Sequence, residues 1–188
     1  MTMCIESSSV HVIREILLDF TCALRCDSRV MITGDPNPGK RQLAELIHRG
    51  SRRAPRRFLT VDCAVAADPL LELRLFGAAR ASVPGPDCDI RGLLEQADGG
   101  TVFLENIGEI GPALQGRLLN FLETRQIRRV GADQAHTEVD VRLISSADAR
   151  LFERAETGAF SAALYYRLNV VQLATAAANV PKPTRPSC

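Results

Sequence analysis

Apolar positions recur along this chain with two periods, one typical of helices and one of strands. Val10, Ile13, Leu17, Phe20 and Leu24 lie three or four residues apart, so the first segment is predicted to be an amphipathic helix packed against a sheet. Short β-rich runs then alternate with helical patterns. The predicted strands are Val30 to Thr33, Phe58 to Asp62, Thr101 to Glu105 and Val139 to Ser145, and the predicted helices are Lys40 to His48, Pro69 to Phe76 and Pro112 to Glu123. This alternation predicts an α/β fold in which a mostly parallel sheet lies between two layers of helices, a three-layer arrangement.

The helix after Pro112 has the clearest helical period. Its apolar stripe consists of Leu114, Leu118, Phe121 and Leu122, which indicates the side that is buried. Pro112 stands at the predicted start, where the missing N–H costs no helical hydrogen bond.

Two stretches lack both periods. The run from Ala78 to Asp89 is rich in Ala, Pro and Gly and predicts a surface loop. The tail from Ala174 to Cys188 carries three prolines between Pro181 and Pro186. We therefore expect one folded domain over residues 1–173 and a disordered tail over residues 174–188.

Composition then narrows the class of protein. The chain has 188 residues, of which 46% are hydrophobic and 24% charged, which is enough for one globular core. A net charge of +1 argues against a surface that neutralises many phosphates, so we expect no direct DNA binding. The six cysteines show no metal-ligand spacing, which argues against zinc. Because neither a leader peptide nor a long apolar run is present, we expect a cytoplasmic protein with reduced thiols and no membrane contact.

The strongest motif follows the first predicted strand. Residues 34–40 read Gly-Asp-Pro-Asn-Pro-Gly-Lys, which fits G-x-x-x-x-G-K between a strand and a helix. In such a loop, backbone N–H groups and the helix N-terminus bind phosphate, and the lysine reaches the terminal phosphates of ATP. The candidate nucleotide-contacting residues are Gly34, Asp35, Asn37, Gly39, Lys40 and Arg41.

The same loop departs from the general pattern. Arg41 stands where Ser or Thr is usual, and Pro36 and Pro38 have no N–H to donate, so we expect weak nucleotide binding. The alternative interpretation is a tight strand-to-helix turn with an incidental lysine.

Further motifs follow in a fixed order along the chain. These are Ala44 to His48 (AELIH), Leu75 to Gly77 (LFG), Glu95 to Gly100 (EQADGG), Gly99 to Ile110 (GGTVFLENIGEI) and Leu164 to Val170 (LYYRLNV). With the phosphate loop, they make the chain from Val10 to Val171 resemble the AAA+ ATPase domain of bacterial sigma-54-dependent transcription activators. The resemblance implies a P-loop NTPase fold that takes ATP and Mg²⁺. It also implies ring-shaped oligomers that push a GAFTGA loop against sigma-54 RNA polymerase.

The hydrolytic motif is altered. The resemblance matches the family's FLDE to residues 103–106, so Glu105 takes the metal-associated position and Asn106 the position of the catalytic glutamate. An amide cannot accept a proton from water. Asp62 falls where the family has an asparagine, so we hypothesise that Asp62 and Asn106 form a reversed pair beside the terminal phosphate. The alternative is that Asp62 is a solvated residue at a strand end and Asn106 a lost base.

Two other family positions are also changed. The resemblance matches the two arginine fingers of FRxDLxxR to Ser161 and Arg167, so only Arg167 is left to reach a neighbouring subunit's phosphate. Its alternative interpretation is a surface arginine. The sensor I motif ATN reads Ser146-Ala147-Asp148.

The output loop and the lid complete the departures. GAFTGA aligns with residues 81–86, Ala-Ser-Val-Pro-Gly-Pro, so we expect no direct contact with sigma-54 RNA polymerase. The chain ends near the start of the family's helical lid without a GNxRE-like segment, so we expect a domain that lacks this lid and has an open cleft.

These observations predict an ATP-binding regulatory domain that hydrolyses ATP slowly or not at all, as a homo-oligomer or together with an intact activator. A different interpretation is an interaction module that needs no ATP, assembles with an intact paralogue and inhibits it. Two more remain: an active ATPase in which Asp62 and Glu105 share the catalytic roles, and a truncated product without function.

Overall fold

A five-stranded parallel sheet forms the centre of the molecule. The computed structural model describes residues 17–34, 39–80, 82, 88–132 and 136–175. The strands in chain order are β1 (Val30–Thr33), β2 (Phe58–Asp62), β3 (Gly77–Ala78), β4 (Ile90–Arg91), β5 (Thr101–Glu105), β6 (Gln126–Arg128), β7 (His136–Glu138), β8 (Arg142–Ala147) and β9 (Val171–Ala174). The central sheet has the order β2-β5-β8-β1-β9, and β3-β4 and β6-β7 form two small antiparallel sheets.

Helices cover both faces of the central sheet. Residues 17–25 are helical (α1), and the later helices are α2 (Gly39–Arg49), α3 (Asp68–Phe76), α4 (Leu93–Gln96), α5 (Pro112–Thr124), α6 (Leu151–Glu156) and α7 (Ala162–Leu168). A 3₁₀ turn spans Ile107–Glu109. None of the helices in the described part of the chain is long and apolar enough to cross a membrane.

Alternation along the strands separates two cores. Val30 and Ile32 of β1 pack with Ala23 of α1 and Ile47 of α2. Met31, between those two β1 residues, points to the opposite face and belongs to the larger core that α3 to α7 cover. Successive side chains of a strand point to opposite faces, so both faces of this sheet need apolar cover. The predicted three-layer α/β fold is therefore confirmed.

The buried strands were predicted most accurately. β1, β2 and β5 have the predicted bounds, and the α5 stripe is buried as expected, with Leu118 fully inaccessible. The fourth predicted strand was placed too early, because β8 begins at Arg142 rather than Val139. Residues 139–141 are outside any strand, and Arg53 donates to the carbonyl and to the carboxylate of Asp140 there.

Two other predictions need correction. Leu17 was assigned to the buried side of the first helix but is 59% exposed, whereas Ala23 is fully buried. Ala78 was assigned to a surface loop but lies buried in β3, paired with Ile90. The predicted tail begins at Ala174, where β9 ends, and its residues 176–188 lie outside the described part of the chain.

Candidate functional site

The carboxyl ends of four neighbouring strands meet at one edge of the central sheet. β2, β5, β8 and β1 run parallel and adjacent, so the residues that follow them lie side by side. In open α/β sheets, ligands bind at this edge. The structure brings Gly34, Lys40, Asp62, Glu105 and Asn106 to this edge.

Lys40 connects two of these strand ends. Its ammonium group donates to the carbonyl of Gly34 at 2.8 Å and to the carbonyl of Ala147 at 3.0 Å. The side chain is only 3% exposed. These carbonyl oxygens satisfy a buried ammonium group that would otherwise be costly, and they hold it beside the first residue of the phosphate loop.

Gly34 adopts a conformation that other residues rarely reach. Its φ is +143°, and a Cβ atom here would collide with the Thr175 hydroxyl. Thr175 follows β9 and donates its N–H to the Thr33 carbonyl at 2.8 Å. The first residue of the phosphate loop must therefore be glycine, both for its φ and for the close approach of Thr175.

The rest of the predicted loop is described only in part. Gly39 begins α2, whose first turn carries no acidic side chain that would repel a phosphate. Arg41 donates to the Thr60 hydroxyl of β2 at 3.0 Å. A guanidinium group has no lone pair for a cation, so Arg41 cannot replace the usual hydroxyl as a metal ligand. Asp35 and Asn37 lie outside the described residues.

Asp62 and Asn106 form a direct hydrogen bond. The Asn106 amide Nδ2 donates to Asp62 Oδ1 at 2.9 Å, and the backbone N–H of Ala64 donates to the same oxygen at 2.9 Å. Asp62, the last residue of β2, is thus hydrogen-bonded to Asn106 while it remains partly exposed. The structure gives the proximity that the reversed-pair hypothesis requires, while the catalytic roles of both residues stay predictions.

The backbone at Asn106 turns sharply to place this amide. Asn106 has φ 55° and ψ 46°, the left-handed region in which asparagine is enriched among non-glycine residues. Its N–H donates to the Ser146 hydroxyl of β8 at 3.2 Å. Ser146 therefore holds the backbone of Asn106 in place. The match of residues 146–148 to the sensor I motif did not predict this contact.

Glu105 lies beside this pair at the end of β5 and is half-buried. Its backbone carbonyl accepts the N–H of Cys63 at 2.9 Å, which joins the ends of β2 and β5. The described residues hold no group of three His, Cys, Asp or Glu side chains that could bind a metal ion. A single carboxylate with nucleotide phosphates is a common donor set for Mg²⁺, so Glu105 fits a metal that arrives with its nucleotide.

Arg167 lies at the opposite edge of the sheet. It is in the last turn of α7, just before β9 begins at Val171, and β9 runs parallel to β1. Its guanidinium group donates to Glu123 at 3.2 Å, and both side chains are about half-exposed. Arg167 therefore cannot act on the phosphate loop of its own chain.

Two replaced family positions have local structural roles. The Ser161 hydroxyl accepts the N–H of Leu164 at 3.3 Å and caps α7, as serine commonly does at a helix start. The Asp148 carboxylate accepts the N–H of Arg150 at 2.8 Å and fixes the turn before α6.

Comparison with known proteins places this geometry in a family. The sequence model of the sigma-54 interaction domain family matches residues 6–174 of this chain. The regulatory protein ZraR of Salmonella typhimurium is 40% identical over 163 residues, which cover 87% of this chain and 36% of ZraR. The hydrogenase regulator HoxA of Bradyrhizobium diazoefficiens is 44% identical over 142 residues, 76% of this chain and 29% of HoxA. The chain thus spans about a third of the length of these relatives.

Solved structures give the same result. NtrX from Brucella abortus superposes with a TM-score of 0.76 and 32% identity over 89% of this chain and 35% of NtrX. A structure of NtrX in complex with ATP superposes with a TM-score of 0.75 and covers 88% of this chain and 37% of that one. A P-loop NTPase domain from E. coli, at 22% identity and a TM-score of 0.58, supports the fold alone.

Cys63 provides a test of the electrostatics of this edge. Burial, together with the nearby carboxylates of Asp62, Glu105 and Asp68, raises the pKa of its thiol to about 12. Since the thiolate is the reactive form, Cys63 should resist iodoacetamide in the folded protein well above the usual cysteine pKa of about 8.5. The exposed Cys88 is the matched control and should react readily. Mass spectrometry of both sites against pH measures the difference, and equal rates near pH 9 would contradict the assigned environment.

Proposed function

The chain belongs to the sigma-54 interaction domain family, and from this premise we propose that it binds ATP at the phosphate loop and hydrolyses it slowly or not at all. The hydrogen bond between Asn106 and Asp62 is the observation that carries the second half of this proposal. The position of Lys40 supports the first half.

Nucleotide binding follows from three features of the loop. Lys40 brings a positive charge to the strand ends, Gly34 gives the backbone its turn, and the N-terminus of α2 faces the loop. The related NtrX has been solved with ATP and with ADP. Arg41 stands where a hydroxyl residue usually follows the lysine, and its guanidinium group cannot bind a metal ion that accompanies the nucleotide, so the binding is weak.

Hydrolysis requires a base that can take a proton from water. Asn106 occupies the matching position and cannot do so, although its amide can hold a neighbouring carboxylate. Asp62 retains a carboxylate, but its Oδ1 already accepts two N–H groups. Only its Oδ2 is then left to orient water, from a different strand. Mg²⁺, when bound with ATP, neutralises phosphate charge, and Glu105 would hold it.

Replacement of Lys40 tests nucleotide binding. Lys40→Ala removes the ammonium group that contacts phosphate, so we expect affinity for a fluorescent ATP analogue to fall at least about tenfold, which is about 1.4 kcal/mol. Arg167→Ala is the matched control and should bind as the unchanged protein does, because Arg167 lies at the other edge of the sheet. Titrations with and without magnesium measure both variants after circular dichroism has shown that they fold. Equal affinity in Lys40→Ala would overturn the proposed nucleotide site.

An exchange of the amide and the acid tests the cause of slow hydrolysis. Asn106→Glu alone sets two carboxylates side by side, which is unfavourable, whereas Asp62→Asn with Asn106→Glu restores a bonded acid and amide in exchanged positions. We expect the double variant to raise kcat by about 10²-fold, the lower end of what a general base contributes.

The control is the same double variant with Lys40→Ala added. This triple variant should not show the increase in kcat. Turnover is followed by phosphate release. No increase in a double variant that still binds the analogue would mean that Asn106 does not limit hydrolysis.

We further propose that the chain acts by assembly with an intact activator of its family and that it does not contact sigma-54 RNA polymerase directly. Arg167 supports this second candidate function, because it is half-exposed at the edge of the sheet opposite the chain's own loop. Ser82, the one described residue among 81–86, is held locally by hydrogen bonds to the carbonyls of Ala79 and Val130.

Mixing experiments test this assembly. Added to an intact activator, the chain should lower ATP turnover more steeply than its mole fraction, because one defective subunit affects its neighbours in a ring. Arg167→Ala should weaken this effect several-fold, and Lys40→Ala should not. Turnover in the mixtures and co-elution on size exclusion give the answer. If the chain does not co-elute with the activator and does not change its ATP turnover, this mode of action is ruled out.

A further inference from the structure

Cys22 and Cys26 form a close pair of thiols at the end of α1. Their sulfur atoms are 3.4 Å apart, and both side chains are partly accessible. The pair lies at the amino edge of the sheet, below the start of β1, and takes no part in the nucleotide site. Two thiols in contact have a chemistry that a single cysteine lacks, because each can attack an oxidised form of the other.

The backbone geometry suits a direct bond between them. Cys26 donates its N–H to the Cys22 carbonyl at 2.9 Å, so the two residues are one helical turn apart. Residues in this relation have Cα atoms about 6 Å apart, inside the range of about 4.4–6.8 Å that disulfides accept. The helix ends at residue 25, so Cys26 is the first residue after its last turn. Closing 3.4 Å to a bond of about 2 Å needs only a small movement there.

A buried cation lies beside both thiols. Arg142 is 2% exposed and donates to the carbonyl of Ala23, between the two cysteines, and to the carbonyl of Ser28, two residues after them. Its Nη1 has no hydrogen-bond partner among the described residues. Burial lowers the pKa of Arg142, and the negative charge of Asp27 opposes that shift. An anionic sulfur formed at either cysteine during oxidation would be attracted by this guanidinium group.

The other described cysteines lack this setting. Cys63 is buried among acidic residues, and burial raises the pKa of its thiol to about 12. Cys88 is exposed, and no described cysteine lies within hydrogen-bonding distance of it. Accessibility, a neighbouring thiol and a neighbouring cation thus coincide at Cys22 and Cys26 alone among the described cysteines.

We propose that Cys22 and Cys26 are a site of reversible oxidation, at which a peroxide converts the two thiols into an intrahelical disulfide. One thiolate attacks a peroxide oxygen, the O–O bond breaks, and a sulfenic acid and water form. The second thiolate then attacks the sulfenic sulfur, the S–S bond forms, and a second water leaves. In total, two thiols lose two electrons and two protons to hydrogen peroxide, which becomes two waters. A dithiol reductant reverses the modification.

The disulfide would change the end of α1 where it contacts β8. The linked turn contains Ala23, whose carbonyl accepts from Arg142. Since Arg142 begins β8, oxidation alters the anchoring of a central strand at the edge away from the nucleotide site.

Trypsin gives a direct assay, because Arg25 separates the two cysteines. Cleavage after Arg14, Arg25 and Arg29 places Cys22 in the peptide 15–25 and Cys26 in the peptide 26–29. The full chain is treated with hydrogen peroxide, blocked with N-ethylmaleimide and digested without reductant. We expect a disulfide-linked pair of these two peptides, at least about tenfold more abundant than any other disulfide-linked pair. Dithiothreitol should separate the two peptides.

Three variants make the result specific. Cys22→Ala and Cys26→Ala should each abolish the joined peptide, and Cys88→Ala should leave it unchanged, with circular dichroism showing that each variant is folded. If, at peroxide levels that oxidise Cys88, both thiols are instead recovered unoxidised, with N-ethylmaleimide on Cys22 and on Cys26, that result would overturn the proposal. Joining of Cys22 or Cys26 only to other cysteines would overturn it as well.

Discussion

Hydrogen bonds from Lys40 to the carbonyls of Gly34 and Ala147 are the contacts on which the candidate site depends. They join the end of β1 to the end of β8, neighbouring strands whose register is fixed along their full length. A buried ammonium group without partners would be costly, so both carbonyls must stay in place while the charge faces the phosphate loop. Lys40 therefore stabilises the edge of the sheet, in addition to its proposed contact with a bound phosphate.

Residues that replace functional family positions are built into the fold. Ser161 caps α7, Asp148 fixes the turn before α6, and Asn106 bonds to Asp62. Each satisfies a backbone or side-chain group that would otherwise lack a partner. Polar groups of folded proteins are generally hydrogen-bonded where they are not fully solvated, and these three positions follow that rule.

Sequence alone could predict the parts of the fold that local patterns determine. Val30 to Thr33 and Thr101 to Glu105 are continuous apolar runs, so their strand bounds were clear. β9 was not predicted, because its mixed sequence becomes a strand only through pairing with β1, which is distant in the chain. At the site, the family resemblance suggested the pair of Asp62 and Asn106. The Ser146 bond could not be foreseen, because it depends on the left-handed turn at Asn106.

The contact between Thr175 and Gly34 mechanically couples two distant parts of the chain. Thr175 donates both its N–H and its hydroxyl to the carbonyl of Thr33, one residue before the phosphate loop. The carbonyl that these bonds hold belongs to the peptide between Thr33 and Gly34, so the residue that follows β9 fixes the point at which the chain leaves β1. The start of the phosphate loop is therefore supported by a segment about 140 residues away in the sequence.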